Sequence, residues 1–180
     1  MENRNSSRGF DNPPTRQWFI GGVTGGFVAS ILFGIILWSV SPDTIREAIP
    51  AIYGLDSSAI LGWILHLIHG ALFGLIFGFL VTRDVVFEVL TGPVYTDALA
   101  ESGAGIRFGL IGIVYGIALW TVIPFLGLTL LGPIAGVDDT GFEGVAAEMV
   151  IVHILFGLIV GIVFSMFVHE GSRERHEIET

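Results

Sequence analysis

The sequence contains neither cysteine nor lysine. The absence of cysteine excludes disulfide bonds, thiolate nucleophiles and zinc or iron–sulfur centres held by cysteine. The absence of lysine excludes a phosphate-binding loop of the Gly-x-x-x-x-Gly-Lys-Ser/Thr type. The His-Glu-x-x-His motif of zinc hydrolases and the Gly-x-Ser-x-Gly motif of serine hydrolases are also missing. We therefore expect a protein that is not an enzyme.

Charged residues are scarce as well. They make up 14% of the 180 residues, whereas a soluble domain usually carries about 25%. The 17 acidic residues outnumber the 8 basic ones, all of which are arginine, and the formal net charge is −9. Contacts to nucleic-acid phosphates require clusters of basic residues, so we expect no nucleic-acid partner. The shortage of charge favours a protein whose main partner is the lipid bilayer.

Apolar residues, which form 52% of the chain, are concentrated in four uncharged stretches. Each stretch is close to the roughly 20 residues with which a helix crosses the hydrocarbon core of a bilayer. The sequence therefore predicts an all-α membrane protein with four transmembrane helices. The stretches cover residues 19–40, 61–81, 108–131 and 150–168.

The arginines indicate an orientation. Seven of the eight lie before the first stretch, between the second and third, or after the fourth, and only Arg46 lies in an odd-numbered connection. Because cytoplasmic segments of membrane proteins are enriched in arginine and lysine, we expect the N- and C-termini to be cytoplasmic. The expected location is the plasma membrane, which the chain would cross several times.

The chain also contains an internal repeat. Residues 33–40 (FGIILWSV) resemble residues 115–122 (YGIALWTV), which lie 82 positions later. After one inserted residue, residues 72–76 (LFGLI) recur unchanged at 155–159. Each copy holds two spans, so the second copy enters the membrane in the same orientation as the first. We expect two parallel two-helix repeats that form a bundle with pseudo-two-fold symmetry.

The repeat suggests where the segments of the chain begin and end. Trp38 lies near the outer end of the first span, in the belt where tryptophan prefers to lie, and Trp120 matches it in the second copy. This match favours a third span over 104–122, with an end at residue 131 as the alternative. The predicted segments are a cytoplasmic tail (1–17), the first repeat (18–81, with spans 19–40 and 61–81 and outer connection 41–60), a cytoplasmic linker (82–103), the second repeat (104–168, with outer connection 123–146 and fourth span 147–168) and a cytoplasmic tail (169–180).

The chain has 25 glycines, and many recur at intervals of four within the spans. Helices in lipid associate where small residues let their backbones approach closely. We expect these glycines to pack the bundle together. The alternative is that one glycine face docks a second copy or another subunit, giving a homo-oligomer or a larger membrane complex. The candidate packing residues are Gly70, Gly74, Gly78, Gly112, Gly116, Gly157 and Gly161.

Three histidines lie within the spans. His66 and His69 are in the second span and His153 is in the fourth. His66 and His153 each precede a series of small residues at four-residue spacing. Each histidine therefore lies on the same helix face as those small residues, at its outer end. Ionisable groups at membrane depth are costly and usually turn inward, towards a partner. We predict a candidate site in the outer leaflet that comprises these histidines together with acidic residues of the outer connections, namely Asp56, Asp138 and Glu148.

Several roles for this site remain open. The favoured one is structural, with the histidines bonded to a backbone carbonyl or to each other between helices, and with no cofactor. Opposed histidines can also hold haem iron, and histidine with a carboxylate can hold a divalent metal or pass a proton.

The arginine-only basic set, the acidic connections and the duplicated two-span unit with Trp38 and Trp120 resemble small four-helix integral membrane proteins of halophilic archaea, which are uncharacterised. The resemblance covers residues 18–170 and implies no activity. We interpret the chain as a non-enzymatic structural or accessory subunit of a membrane complex. The alternatives are an electron or proton carrier that binds haem or metal, and a small oligomeric transporter.

Overall fold

A computed structural model describes residues 15–83, 103–126 and 149–178 of the chain. These residues form five α-helices and a short π-helical turn, and this part of the chain contains no strand. The helices are α1 (Thr15–Val40), α2 (Ile49–Ala51), α3 (Ala59–Val81), α4 (Ala104–Leu126) and α5 (Val150–Ile178), and the π-helical turn spans Thr44–Ala48.

Four of the helices are long and apolar enough to cross a membrane. For the described residues, the prediction of an all-α protein with four apolar helices of membrane length is therefore confirmed. Helix α4 runs to Leu126, past the shorter predicted end at residue 122. Pro124 cannot donate a backbone hydrogen bond, but the helix continues for two residues beyond it. The candidate spans are Arg16–Val40, Ala59–Val81, Gly105–Ile123 and Val150–Val168.

Helix α3 begins at a capped serine. The Ser58 hydroxyl accepts a hydrogen bond from the backbone N–H of Leu61 at 3.3 Å, which satisfies one of the unpaired donors of the first turn. The backbone N–H of Ser58 donates in turn to the Arg46 carbonyl of the preceding connection at 2.9 Å. These two bonds start the helix at Ala59, two residues earlier than the predicted span.

The connection between α1 and α3 packs onto the beginning of α3. Ile45, in its π-helical turn, is fully buried, and a Cβ placed on Gly62 of α3 would lie only 2.7 Å from the Ile45 carbonyl carbon. The absence of a side chain at Gly62 therefore allows the two backbones to meet. On the exposed side, Arg46 forms ion pairs with Asp43 at 3.0 Å and Glu47 at 2.8 Å, and both raise the pKa of Arg46 above its usual value.

Helices α1 and α3 are held together by glycine. A Cβ placed on Gly22 would lie 2.7 Å from the Gly74 carbonyl oxygen, and one on Gly26 would lie 2.8 Å from the Gly74 Cα. One turn further along α1, Ser30 takes the place of a glycine against Gly70. Residue numbers rise along α1 as they fall along α3, so the two helices are antiparallel.

Helices α4 and α5 form a second antiparallel pair of the same kind. A Cβ placed on Gly112 would lie 2.7 Å from the Gly157 carbonyl carbon. One on Gly161 would lie 2.6 Å from the Phe108 carbonyl carbon. All seven glycines predicted to pack the bundle lie close to another helix of the same chain.

The two pairs meet along two different interfaces. Helices α1 and α5 approach closely, because a Cβ placed on Gly25 would lie 3.1 Å from the Val160 carbonyl oxygen. Helices α3 and α4 are bridged by Tyr115, whose hydroxyl donates to the Phe73 carbonyl at 2.7 Å. The Tyr115 ring also contacts Phe77, with ring centroids 5.3 Å apart. The helices are thus neighbours in the order α1, α3, α4, α5, and α5 returns to α1.

The bundle has two distinct ends. The connection end carries the segment between α1 and α3, where Leu37, Ile45 and Met149 form a small buried cluster. The arginine end carries Arg16 and the exposed Arg83, whose guanidinium lies 4.1 Å from the centroid of the Phe79 ring. Large apolar side chains cover the outer faces of all four long helices.

Candidate functional site: the membrane histidines

His66 lies in the interior of the bundle and joins two helices. It is 6% exposed, and its Nε2 donates a hydrogen bond to the Ser30 carbonyl of α1 at 3.0 Å. A carbonyl can only accept, so Nε2 carries the proton and Nδ1 retains its lone pair. A Cβ on Gly34 would lie 3.0 Å from the His66 ring, so this glycine leaves room for the imidazole. This bond to a backbone carbonyl of another helix is of the kind that the favoured structural role requires, and that role stays a prediction.

His153 uses its polar atoms differently. Its Nδ1 donates to the Met149 carbonyl at 2.9 Å, one turn back along its own chain segment. The bond supplies a donor to a carbonyl at the start of α5 and leaves the Nε2 lone pair free. His153 is partly buried. Its Nδ1 therefore bonds within its own chain segment and does not tie one helix to another.

Phe33 of α1 brings His66 and His153 to one place. Its ring centroid lies 5.3 Å from that of His66 and 5.2 Å from that of His153, and both contacts are edge-to-face. The centroids of the two imidazoles are therefore no more than about 10.5 Å apart. The repeat aligns His153 with Gly70, one turn from His66, yet the folded helices place both histidines against the same ring. We call His66, His153 and Phe33 the interior histidine cluster.

His69 lies outside the interior histidine cluster. Its Nε2 is hydrogen-bonded to the hydroxyl of Tyr53, which belongs to the connection between α1 and α3. The Tyr53 and His69 rings are stacked, with centroids 5.7 Å apart and planes inclined by 21°. The next ring along α3, Phe73, has its centroid 6.3 Å from that of His69. The three membrane histidines are thus divided between two environments.

The acidic residues of the predicted site do not join these histidines within the described part of the chain. Asp56 is exposed, and no hydrogen bond or ion pair links it to a histidine there. Asp138 and Glu148 lie outside the described residues. Among the residues that the structure describes, no three histidine or acidic side chains lie close enough together to hold a metal ion.

Three residues that build these environments were not among the predicted site residues. Ser30 has a sequence signal, since it follows Gly22 and Gly26 and precedes Gly34 at intervals of four. Phe33 opens the repeated segment 33–40, but the repeat does not indicate that its ring contacts two histidines. Tyr53 has no distinguishing pattern, because its contact with His69 depends on how the connection folds.

No known protein family, no curated protein and no solved structure matches this chain. Its four long apolar helices are compatible with an integral membrane protein.

Proposed function

We propose that this protein is a non-enzymatic structural or accessory subunit of a complex in the plasma membrane. The observation that carries the proposal is the hydrogen bond from His66 to the Ser30 carbonyl. This bond uses the most deeply buried of the three membrane histidines to hold α1 against α3. It lies one helical turn from the contact between Gly26 and Gly70, towards the connection end. The buried His66 side chain thus helps to hold two helices together, as expected of a protein with a structural role.

The outer surface supports the same role. Small residues of the spans face inward, while large apolar side chains such as Ile60 (77% exposed) and Val114 (67% exposed) face outward. These side chains suit lipid and the apolar surface of a membrane partner equally well. A second subunit would therefore dock on large apolar residues and leave the glycine contacts within the bundle intact.

We propose further that the bundle consists of two parallel two-helix repeats related by pseudo-two-fold symmetry. A pair of contacts between the repeats supports this arrangement. Phe33 contacts Phe156, with ring centroids 6.3 Å apart, and Tyr115 bonds the Phe73 carbonyl at 2.7 Å. The sequence alignment carries Phe33 onto Tyr115 and Phe73 onto Phe156, so the two contacts are equivalent when the repeats are exchanged.

The proposed orientation has both termini in the cytoplasm. Trp18 of α1 contacts Gly78 of α3, and Phe108 of α4 contacts Gly161 of α5. These contacts support one arginine end that includes Arg16, Arg83 and Arg107, whereas Arg46 belongs to the opposite end. The positive-inside tendency then directs the arginine end to the cytoplasm.

We also propose that the protein is one of the small four-helix membrane proteins of halophilic archaea. Composition alone supports this part of the proposal.

The subunit role is tested by purification from native membranes in a mild detergent, followed by measurement of the detergent-corrected mass. We expect a mass above the 19.4 kDa of one chain, with other chains present in a fixed ratio after two different separation steps. Two differently tagged copies, expressed together, distinguish a homo-oligomer from a complex with another protein. A species with the mass of a single chain, free of any partner, would contradict the proposal.

A second candidate function is an electron or proton carrier with haem or a divalent metal. The observation that favours it is that His66 Nδ1 and His153 Nε2 both keep a free lone pair beside the same Phe33 ring. A flat cofactor held by both histidines would compete with Phe33 for this space. The test is the visible spectrum and metal content of the purified protein. A Soret band or a stoichiometric metal that is lost in the H66A/H153A double variant would favour the carrier, and a colourless, metal-free protein would exclude it.

The small oligomeric transporter remains a prediction from the sequence. It requires self-association, so the experiment with two tagged copies tests it as well.

A further inference from the structure

The hydrogen bond between Tyr53 and His69 joins the connection to α3 and differs from the bonds of the two interior histidines. The two interior histidines bond to backbone carbonyls, whereas His69 bonds to a side chain from the connection. Tyr53 is 51% exposed and His69 is partly exposed, so the pair lies at the surface of the bundle. This pair therefore has a surface open to the surroundings of the protein.

The position of the pair along α3 determines what those surroundings are. His69 lies ten residues after Ala59, or roughly 15 Å along the helix axis, close to the middle of a 23-residue helix. Its neighbours Ile68 and Leu72 are 49% and 51% exposed, as expected of side chains in contact with lipid. The pair thus lies between the exposed connection, which contributes Tyr53, and the lipid-facing part of α3, so a lipid-soluble molecule can reach His69 from the bilayer.

His69 lies on the side of α3 that is turned towards α4, because Phe73 and Phe77, four and eight positions after it, contact Tyr115. Tyr115 bonds the Phe73 carbonyl and so brings α4 against α3 at that level. Ala118 and Val122 follow Tyr115 by three and seven positions, so they share its helix face. Both are nevertheless exposed. Helix α3 therefore does not cover Ala118 and Val122, and His69 lies beyond the Tyr115 contact, towards the connection end.

The side chains of this part of the surface favour one class of ligand. Tyr53, His69 and Phe73 form a column of rings, which favours a planar partner. When the Tyr53 hydroxyl donates to His69 Nε2, the imidazole proton is on Nδ1 and can be donated to a carbonyl oxygen. Within the described residues, no hydrogen bond or ion pair links Tyr53 or His69 to a charged side chain, which favours an uncharged ligand. A planar, uncharged, lipid-soluble carbonyl compound meets all of these requirements.

We propose that Tyr53 and His69 form a lipid-facing binding site for a quinone. The quinone ring lies against the column of Tyr53, His69 and Phe73, and one of its carbonyl oxygens accepts the hydrogen bond from the pair. The ligand enters sideways from the bilayer, between α3 and α4. The site does not depend on the subunit role, because the Tyr53 and His69 side chains form none of the contacts that hold the two helix pairs together, and Phe73 joins the pairs through its backbone carbonyl.

The site can be mapped with an azido-substituted benzoquinone as a photolabel on the purified full-length protein. Trypsin cleaves this lysine-free chain only after arginine, so Tyr53 and His69 fall together in the peptide 47–83. We expect the label to concentrate in this peptide and to be displaced by unlabelled 2-methyl-1,4-naphthoquinone. The variants Y53F and H69F retain a ring but lose the hydrogen bond, and each should lower specific labelling about tenfold.

The matched control is I68F, which introduces the same side chain at the neighbouring lipid-facing position and should leave labelling unchanged. Far-UV circular dichroism establishes that each variant is folded, and Y53F, in the exposed connection, tests the site even if H69F does not fold. Even labelling of all membrane peptides would overturn the proposal. So would labelling that the unlabelled naphthoquinone does not displace, or labelling that Y53F leaves at the level of I68F.

Discussion

The glycine contact between α4 and α5 leads to a quantitative prediction for G112A. The new Cβ would lie 2.7 Å from the Gly157 carbonyl carbon and 3.3 Å from the Gly161 nitrogen. Carbon atoms in contact are normally about 3.5–4.0 Å apart, so the helices have to separate by about 1 Å. Both neighbouring atoms belong to the backbone of α5, so no flexible side chain can move aside.

The size of the effect follows from two opposing contributions. Overpacking of a tight interface costs about 1–3 kcal/mol, and contact between two backbones belongs at the upper end of that range. Replacing glycine by alanine inside a helix recovers about 1 kcal/mol of helix propensity. We therefore expect G112A to lower the free energy of unfolding by about 2 kcal/mol, which is a factor of roughly 30 in the unfolding equilibrium.

G105A is the matched control in the same helix. A Cβ on Gly105 would meet only the Ser165 hydroxyl, at 3.6 Å, which is an ordinary contact. This variant should gain up to about 1 kcal/mol from helix propensity alone. Both variants are purified in detergent micelles. Their unfolding can then be followed by circular dichroism as dodecyl sulfate is added. If G112A proves as stable as G105A, the close packing of α4 on α5 is refuted.

Three further substitutions test individual hydrogen bonds by the same unfolding assay. H66F keeps a ring in the interior but removes the donor to Ser30, and should cost about 1 kcal/mol. Y115F removes the hydrogen bond to the Phe73 carbonyl and should cost about 0.6–1.7 kcal/mol. S58A removes the cap of α3 and should cost about 1 kcal/mol. A variant as stable as the unchanged protein would contradict the role assigned to that bond.

The glycine positions show what periodicity can predict. A small residue every fourth position marks one face of a helix, and in lipid such a face is where another helix approaches. Gly70 and Gly74 meet α1 for this reason, and Gly157 and Gly161 meet α4. His66 belongs to the same face as Gly70, so its place in the interior also follows from the spacing.

The contacts between different helices were less accessible from the sequence. A periodic pattern gives the buried face of a helix but not the height at which it meets its neighbours. The Phe33 ring contacts both His66 and His153, although the repeat aligns these histidines one turn apart. The bond between Tyr53 and His69 depends on the path of the connection, and no local pattern encodes that path.

The central claim is that the four apolar helices span a membrane with both termini on its cytoplasmic side. Because the chain has no cysteine, one introduced cysteine is its only thiol, and a membrane-impermeant maleimide then reports which side of the membrane it occupies. In intact cells we expect S57C, in the exposed connection after α2, to be labelled. We expect S6C, near the N-terminus, to be labelled only after the membrane is opened. Labelling of S6C in intact cells, with S57C protected, would contradict the orientation, and equal labelling of both would contradict the membrane-spanning arrangement.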